Sequence, residues 1–210
     1  MNAYIGAEWH KKRTETLRKL TLEEISARRP HPLVTSDKRF PIAALLDNIR
    51  SLYNVGSIFR TSDGAGIRHL YLCGYTPHPP RKEIEKTALG TVATVPWSHH
   101  RDPLEAIRAA RGAGMRICVL EHTDESIPTY ALTPADFPLC LVVGNELTGV
   151  AAAIMAEADL AVEIPMHGVK QSLNAAVAYG VAVFDLVRIL KGGAGGRTPA
   201  DATAPRRMRA

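Results

Sequence analysis

Cysteine is scarce in this chain of 210 residues, and Cys73, Cys118 and Cys140 lie in apolar runs without CxxC spacing. A disulfide-stapled scaffold and a cysteine zinc site are thereby excluded. The three read as reduced core thiols of an intracellular, cytoplasmic protein. No apolar run reaches the length of a membrane span. The longest, AVAYGVAVFDLV, is interrupted by Asp185 and reads as a buried helix. The opening residues, MNAYIGAEWHKKR, lack the apolar stretch of a secretory signal. None of the eight histidines has HExxH or paired Cys/His spacing, so no metal is expected. A phosphate-cradling GxxxxGKS/T loop, a dinucleotide fingerprint and a GxSxG elbow are all missing, which argues against the nucleotide-binding and hydrolase classes that depend on them.

Positive charge is present but confined to the ends. Residues 1–40 hold nine Lys/Arg against five Asp/Glu, and residues 188–210 hold six against one. The middle, 41–187, is net negative, with eleven against fifteen. Basic ends suit a phosphate backbone, and equally serve as solubilising tails.

The chain has enough apolar residues for one packed domain with appendages. Residues 11–29 predict a charged surface helix, or two short ones broken near Thr21, with Leu17, Leu20 and Ile25 on one face. Strands are expected at 42–46, 69–74, 115–120, 138–144 and 160–165. Helices are expected at 58–65, 81–90, 102–113, 150–157 and 172–190, with Asp102 and Pro103 starting the third. From Gly192 onward the sequence is low in complexity and reads as disordered. Apolar strands alternating with helices indicate an α/β fold: a mostly parallel sheet with helices on both faces. Ligands in such sheets sit beyond the strand C-termini. The loops after Leu46, Leu120, Gly144 and Pro165 are therefore the places to search.

Three segments there carry candidate chemistry. In NVGSIFR, Asn54 is a possible helix cap. Arg60 is either an anion or ribose contact, or the partner of Asp63 or Glu146 in an ion pair. In GNELTG, Gly144 and Gly149 allow close backbone approach. Glu146 is a general acid/base, or orients a partner arginine, or is a helix-capping carboxylate. In IPMHGVKQSLN, Ser172 could cap the long helix, placing Ser172, Leu173 and Asn174 at its positive end, and Met166 and Leu173 could line an apolar pocket.

Together NVGSIFRTSDGAG (54–66), LVVGNELTGV (141–150) and IPMHGVKQSLNAAVAYGVAVFDLV (164–187) resemble the three ordered motifs of the SpoU/TrmH branch of the SPOUT methyltransferases. The resemblance covers residues 41–190, leaving a basic N-terminal extension (1–40) and a basic tail (191–210). It implies a C-terminal trefoil knot and S-adenosylmethionine bound in a bent form. The donor would be held by Leu120, Gly144, Asn145, Glu146, Gly149, Ile164, Met166, Ser172 and Leu173. The implied activity is methylation of a ribose 2′-hydroxyl in tRNA or rRNA by a homodimer whose subunits share each site. Arg60 matches the essential first-motif arginine, with Asn54, Glu146, Ser172 and Asn174 as the other catalytic-site residues. Ala175–Ala176 stand where many relatives have valine and serine, which keeps small side chains at the helix start. The alternatives are a base-methylating enzyme, or a non-catalytic RNA-binding or assembly protein, on the same fold.

Overall fold

The computed structural model describes residues 17–27 and 39–192. Of the expected N-terminal helix, α1 (Leu22–Ala27) is described. A reciprocal cap starts it: the Thr21 amide donates to the Glu24 carboxylate (2.8 Å), and the Glu24 amide donates to the Thr21 hydroxyl (3.2 Å). This helix buries none of its residues. The remainder of 11–29, most of the 1–40 extension and the tail beyond Gly192 lie outside the described residues.

The body is a seven-stranded sheet with every neighbouring pair parallel. In chain order the strands are β1 (Phe40–Asp47), β2 (Ile67–Cys73), β3 (Trp97–His100), β4 (Arg116–Leu120), β5 (Ile127–Pro128), β6 (Leu139–Val143) and β7 (Leu160–Glu163). Their spatial order is β3-β2-β1-β6-β4-β7-β5. The chain runs outward from β1 in one direction, then crosses back and builds the other half. The sheet therefore opens near its middle, where β1, β6 and β4 lie side by side.

Both faces are apolar because both are covered. Ile42, Ala44 and Leu46 on β1 pack beneath α2 (Leu52–Ala65), α3 (Lys82–Ala88) and α6 (Ala175–Gly192). The alternate residues Ala43 and Leu45 face α4 (Pro103–Gly112) and α5 (Ala152–Met155). This period-two division of one buried strand is what a parallel sheet sandwiched by helices requires. Helices α2 and α6 run in the same direction, since Asn54 meets Asn174 and, further along both, Ser62 meets Tyr179. The buried Tyr179 hydroxyl lies 2.6 Å from Ser62 Oγ, so the polar tip of a large core residue has a partner.

Several expected boundaries shift. Helix α2 begins at Leu52, and its cap is Ser51, whose hydroxyl accepts from the Asn54 amide; Asn54 is not the cap. Helix α6 begins at Ala175. Its cap is Asn174 rather than Ser172: the Asn174 side-chain oxygen accepts from the amides of Ala176 (3.0 Å) and Val177 (3.4 Å). Strand β7 ends at Glu163, two residues short of the expected Pro165. Strand β3 has no counterpart among the expected strands, because WSHH is short and polar; among the described residues it is an edge strand paired with β2 alone. Asp102 does cap α4, accepting from the Leu104 amide (3.0 Å), with Pro103 in the first turn. Asp185, the charge inside the apolar helix, accepts from the Thr129 hydroxyl at 2.6 Å.

Candidate functional site

At the C-terminal ends of β4, β6 and β7 three loops converge on one cleft of about 260 Å³. The loop after β4 contributes Glu121 and His122, and the 144–149 turn contributes Asn145 and Glu146. Met166, Gln171, Ser172 and Leu173 come from the segment joining β7 to α6. The nine residues expected to hold a small ligand, from Leu120 to Leu173, all line this cleft. Its walls are apolar at Leu120, Val143, Ile164, Met166 and Leu173, and acidic at Glu121, Glu146 and Glu163. Among the described residues, no lysine or arginine lines it.

The 144–149 turn is built by its own residues. Asn145 is 7% exposed and spends its side chain locally. Its amide nitrogen donates to the Asn48 carbonyl (2.7 Å) and the Tyr75 hydroxyl (2.8 Å). Its oxygen accepts from the amides of Leu147 and Thr148. Asn145 and Gly149 exchange backbone hydrogen bonds, both 3.0 Å. A Cβ at Gly144 would overlap the Gly149 backbone, and Gly149 itself sits at φ +70°, so both positions require glycine. Asn145 thus shapes the cleft wall, and any ligand contact there falls to the backbone.

Glu146 ties this turn to the loop after β1. Its carboxylate accepts from the amides of Arg50 (3.0 Å) and Ser51 (3.4 Å) and from Asn54 Nδ2 (2.9 Å). Asn54 Oδ1 in turn accepts from Asn174 Nδ2 (3.2 Å). One hydrogen-bonded chain, Glu146–Asn54–Asn174, therefore joins the three segments singled out in the sequence. Partial burial pushes the Glu146 carboxyl up, but the donors from Arg50, its own backbone, Asn54 and Ser51 outweigh this and hold it below the usual carboxylate range. The carboxylate thus holds the backbone just ahead of α2, while the helix itself is capped by Ser51. Beside the chain lies a shallow polar hollow lined by Arg50, Ser51, Asn54, Glu146, Leu147 and Asn174.

Arg60 is placed elsewhere. It is exposed on α2, lines neither the cleft nor the hollow, and makes no ion pair or hydrogen bond among the described residues. The expected pairing with Asp63 or Glu146 does not form: Asp63 accepts instead from the Thr94 hydroxyl, and Glu146 from the groups above. Arg60 lies seven residues from the half-exposed Tyr53, hence on the same helical face. Ser172 lines the cleft, and its hydroxyl has no partner among the described residues.

Sequence reasoning missed four further groups. Asp47, buried at the end of β1, accepts from the Ala151 amide (3.0 Å) and Asn48 Nδ2 (2.8 Å); burial raises its pKa. Glu121 accepts from the Val150 amide (3.1 Å), fastening the far side of the glycine turn. His122 and Glu163 meet at the cleft rim, 3.2 Å apart. The available signal was position: each stands at a strand C-terminus, where parallel sheets place ligand loops.

Known proteins carry the same arrangement of sequence. The pattern of the SpoU rRNA methylase family matches residues 41–184. A tRNA (guanosine(18)-2′-O)-methyltransferase of Aquifex aeolicus is 30% identical over 74% of this chain and 72% of its own length. A 23S rRNA (uridine(2479)-2′-O)-methyltransferase of Streptomyces viridochromogenes is 30% identical over 75% of this chain and 56% of its own. Among solved structures, the SpoU methyltransferase AviRb of Streptomyces viridochromogenes in complex with AdoMet superposes with a TM-score of 0.66 at 26% identity. That match covers 72% of this chain and 61% of AviRb. The chain thus spans between about half and three quarters of these relatives. With well over half of its residues matched, this protein belongs to the SpoU rRNA methylase family.

Proposed function

We propose that this protein transfers a methyl group from S-adenosylmethionine to a ribose 2′-hydroxyl of RNA. The observation that carries the reading is a cleft lined, among the described residues, by three carboxylates and no lysine or arginine, set beside the fixed Glu146–Asn54–Asn174 chain. Such a lining disfavours phosphate ligands and favours a cationic one. The residues present fit this cofactor. Leu120, Ile164, Met166 and Leu173 offer flat apolar walls for an adenine. Gly144 and Gly149 leave no side chain between backbone and ligand at those two positions, and the Ser172 hydroxyl is free to contact it. Bound there, the cofactor supplies an electrophilic methyl on a cationic sulfur.

The chain's own residues then align and stabilise. Asn54 and Asn174 border the polar hollow next to the cleft, where a ribose can be received. Alignment of the sugar oxygen with the methyl is the main contribution asked of them. Glu146, held ionised and engaged by its donors, orients Asn54 rather than moving protons. A guanidinium cannot serve as a base near neutrality, so the role proposed for Arg60 is to stabilise the oxyanion developing on the ribose.

Because Arg60 lies outside the cleft of its own chain, the active unit is proposed to be a homodimer in which a second copy brings it in. Half-exposed Val177, Val181 and Phe184 form a stripe at helical spacing on α6, and Phe184 lies against α2 at Gly64. Tyr53 and Arg60 share a face of α2. An apolar stripe of this kind suits a self-complementary contact.

The knotted course of the C-terminal segment, the division at residues 40 and 191, and a cytoplasmic setting belong to the same proposal. Three buried, unpaired cysteines suit a reducing compartment. The basic ends extend RNA contact beyond the net-negative middle. The relatives include both tRNA and rRNA enzymes, so both classes are candidate substrates. Titration calorimetry with S-adenosylmethionine tests the cleft. Saturable binding that is abolished when Gly144→Val fills the turn supports the reading; no binding by the folded wild-type chain contradicts it.

A further inference from the structure

Residues 165–173 supply much of one cleft wall, yet among the described residues they make a single hydrogen bond to the rest of the molecule. That bond comes from a histidine. His122 Nε2 lies 3.0 Å from the Gln171 carbonyl oxygen. Its other nitrogen, Nδ1, lies 3.2 Å from Glu163 Oε2 at the end of β7. Ser126 Oγ lies 2.6 Å from the same carboxylate oxygen, and the His122 backbone amide donates to Glu121 (3.1 Å).

A carbonyl oxygen can only accept, and so can an ionised carboxylate. Both ring nitrogens therefore need a proton for both contacts to be hydrogen bonds. The species that satisfies the site is the imidazolium; a neutral ring gives up one of the two contacts.

We propose that His122 is a positioning residue for the cofactor wall, its imidazolium pinning residues 165–173 to the ends of β4 and β7 and releasing them on deprotonation. This rests on the cleft being the cofactor site. The charged groups facing the ring are Glu163 from β7 and Glu121 from the β4 end; the 164–174 segment presents only a carbonyl. Asp124, Glu125, His167 and Lys170 are the remaining titratable groups of the two joined loops. The hydrogen bond to Glu163 is the leading influence and raises the imidazole pKa above its ordinary value, against a smaller lowering by burial. The sign follows: a raised histidine pKa means that the latch is closed below it and opens as pH rises through it.

The full-length chain is studied by backbone NMR order parameters without cofactor, and by calorimetry with S-adenosylmethionine, from about pH 6 to about pH 9. In the wild type, order in residues 165–173 falls as pH rises, and the dissociation constant increases about three- to tenfold. His122→Ala shows the loosened segment and weak binding at every pH, so the ligand's own titration is subtracted by comparison. Glu163→Gln moves the transition to lower pH. Thermal melts confirm that each variant is folded. The proposal is overturned if His122→Ala keeps the wild-type order in residues 165–173, or if its affinity follows the wild-type pH slope. Should the wild type bind no cofactor at any pH, the cleft reading fails, while the order parameters still decide whether His122 pins the segment.

Discussion

Asn54 and Glu146 are 92 positions apart in sequence, and the amide of one donates to the carboxylate of the other at 2.9 Å. Through this contact and the Asn54–Asn174 hydrogen bond, the loop after β1, the glycine turn and the start of α6 form one support. Under the proposed function, removing a link in that support is expected to misplace the reacting groups without emptying the cleft. Asn54→Ala is expected to lower kcat/KM by about a hundredfold, with cofactor affinity changed less than about threefold. Steady-state kinetics paired with calorimetry checks this; equal losses in both would reassign Asn54 to cofactor binding.

Glu146 gives the support a pH signature. Its donors hold its pKa below the ordinary glutamate value. For a depressed carboxylate, the stabilising contribution is present above the unfolded-state pKa and disappears as pH falls through the folded one. Glu146→Gln is therefore expected to lower the melting temperature at neutral pH. The difference from wild type should persist to about pH 4.5 and vanish only below it. A difference that already fades near neutrality would show that the carboxylate is not held by these donors.

Much of this support is legible in the amino-acid sequence. The strands at 42–46, 115–120 and 138–144 stand out as apolar runs bounded by breakers, and the loops that follow them border the cleft and the hollow beside it. The three motifs are legible as sequence, but their mutual contacts are not. Hydrogen bonds such as Glu146 to Asn54 depend on strand order, and β6 inserting between β1 and β4 leaves no local trace. The caps fall a few residues from their expected positions because Ser51, Asn54, Ser172 and Asn174 are all good capping types, and only backbone geometry selects among them. His122 escapes notice because its partners lie 41 and 49 positions away.

Of the expected catalytic-site residues, Arg60 lines neither the cleft nor the hollow, whereas Asn54, Glu146, Ser172 and Asn174 each line at least one of them. Arg60→Ala is expected to reduce methyl transfer by at least about a hundredfold while leaving cofactor binding intact. Mixing Arg60→Ala with Asn174→Ala protein and allowing exchange should restore roughly a quarter of wild-type activity, since half of the dimers regain one complete site. No recovery in mixtures shown to contain heterodimers would place Arg60 and Asn174 in the same subunit's site.

The cysteines provide a check on the core. Cys118 lies on β4 with its thiol pushed up to about 12 by burial, and Cys73 and Cys140 are raised further by the same cause. None offers a thiolate near neutrality. All three are expected to resist alkylation in the native chain and react together on denaturation. Mass spectrometry that finds one modified in the native state would contradict the packing described.

Charge at the ends predicts a salt effect. Deleting residues 193–210 removes Arg197, Arg206, Arg207 and Arg209. The slope of log affinity for RNA against log salt should flatten by about 0.7 to 0.9 for each phosphate that the tail no longer neutralises. Filter-binding titrations measure it, and an unchanged slope would mean that the tail takes no part in RNA contact.

The chemistry of the cleft is tested most directly by methyl transfer itself. Purified protein, labelled S-adenosylmethionine and unmodified tRNA or rRNA are incubated separately for each RNA, then the RNA is digested and its nucleosides identified by mass. Label is expected in a 2′-O-methyl nucleoside from one of the two RNAs, and none with Arg60→Ala. Label on a base would contradict it, as would a folded, cofactor-bound protein that methylates neither RNA.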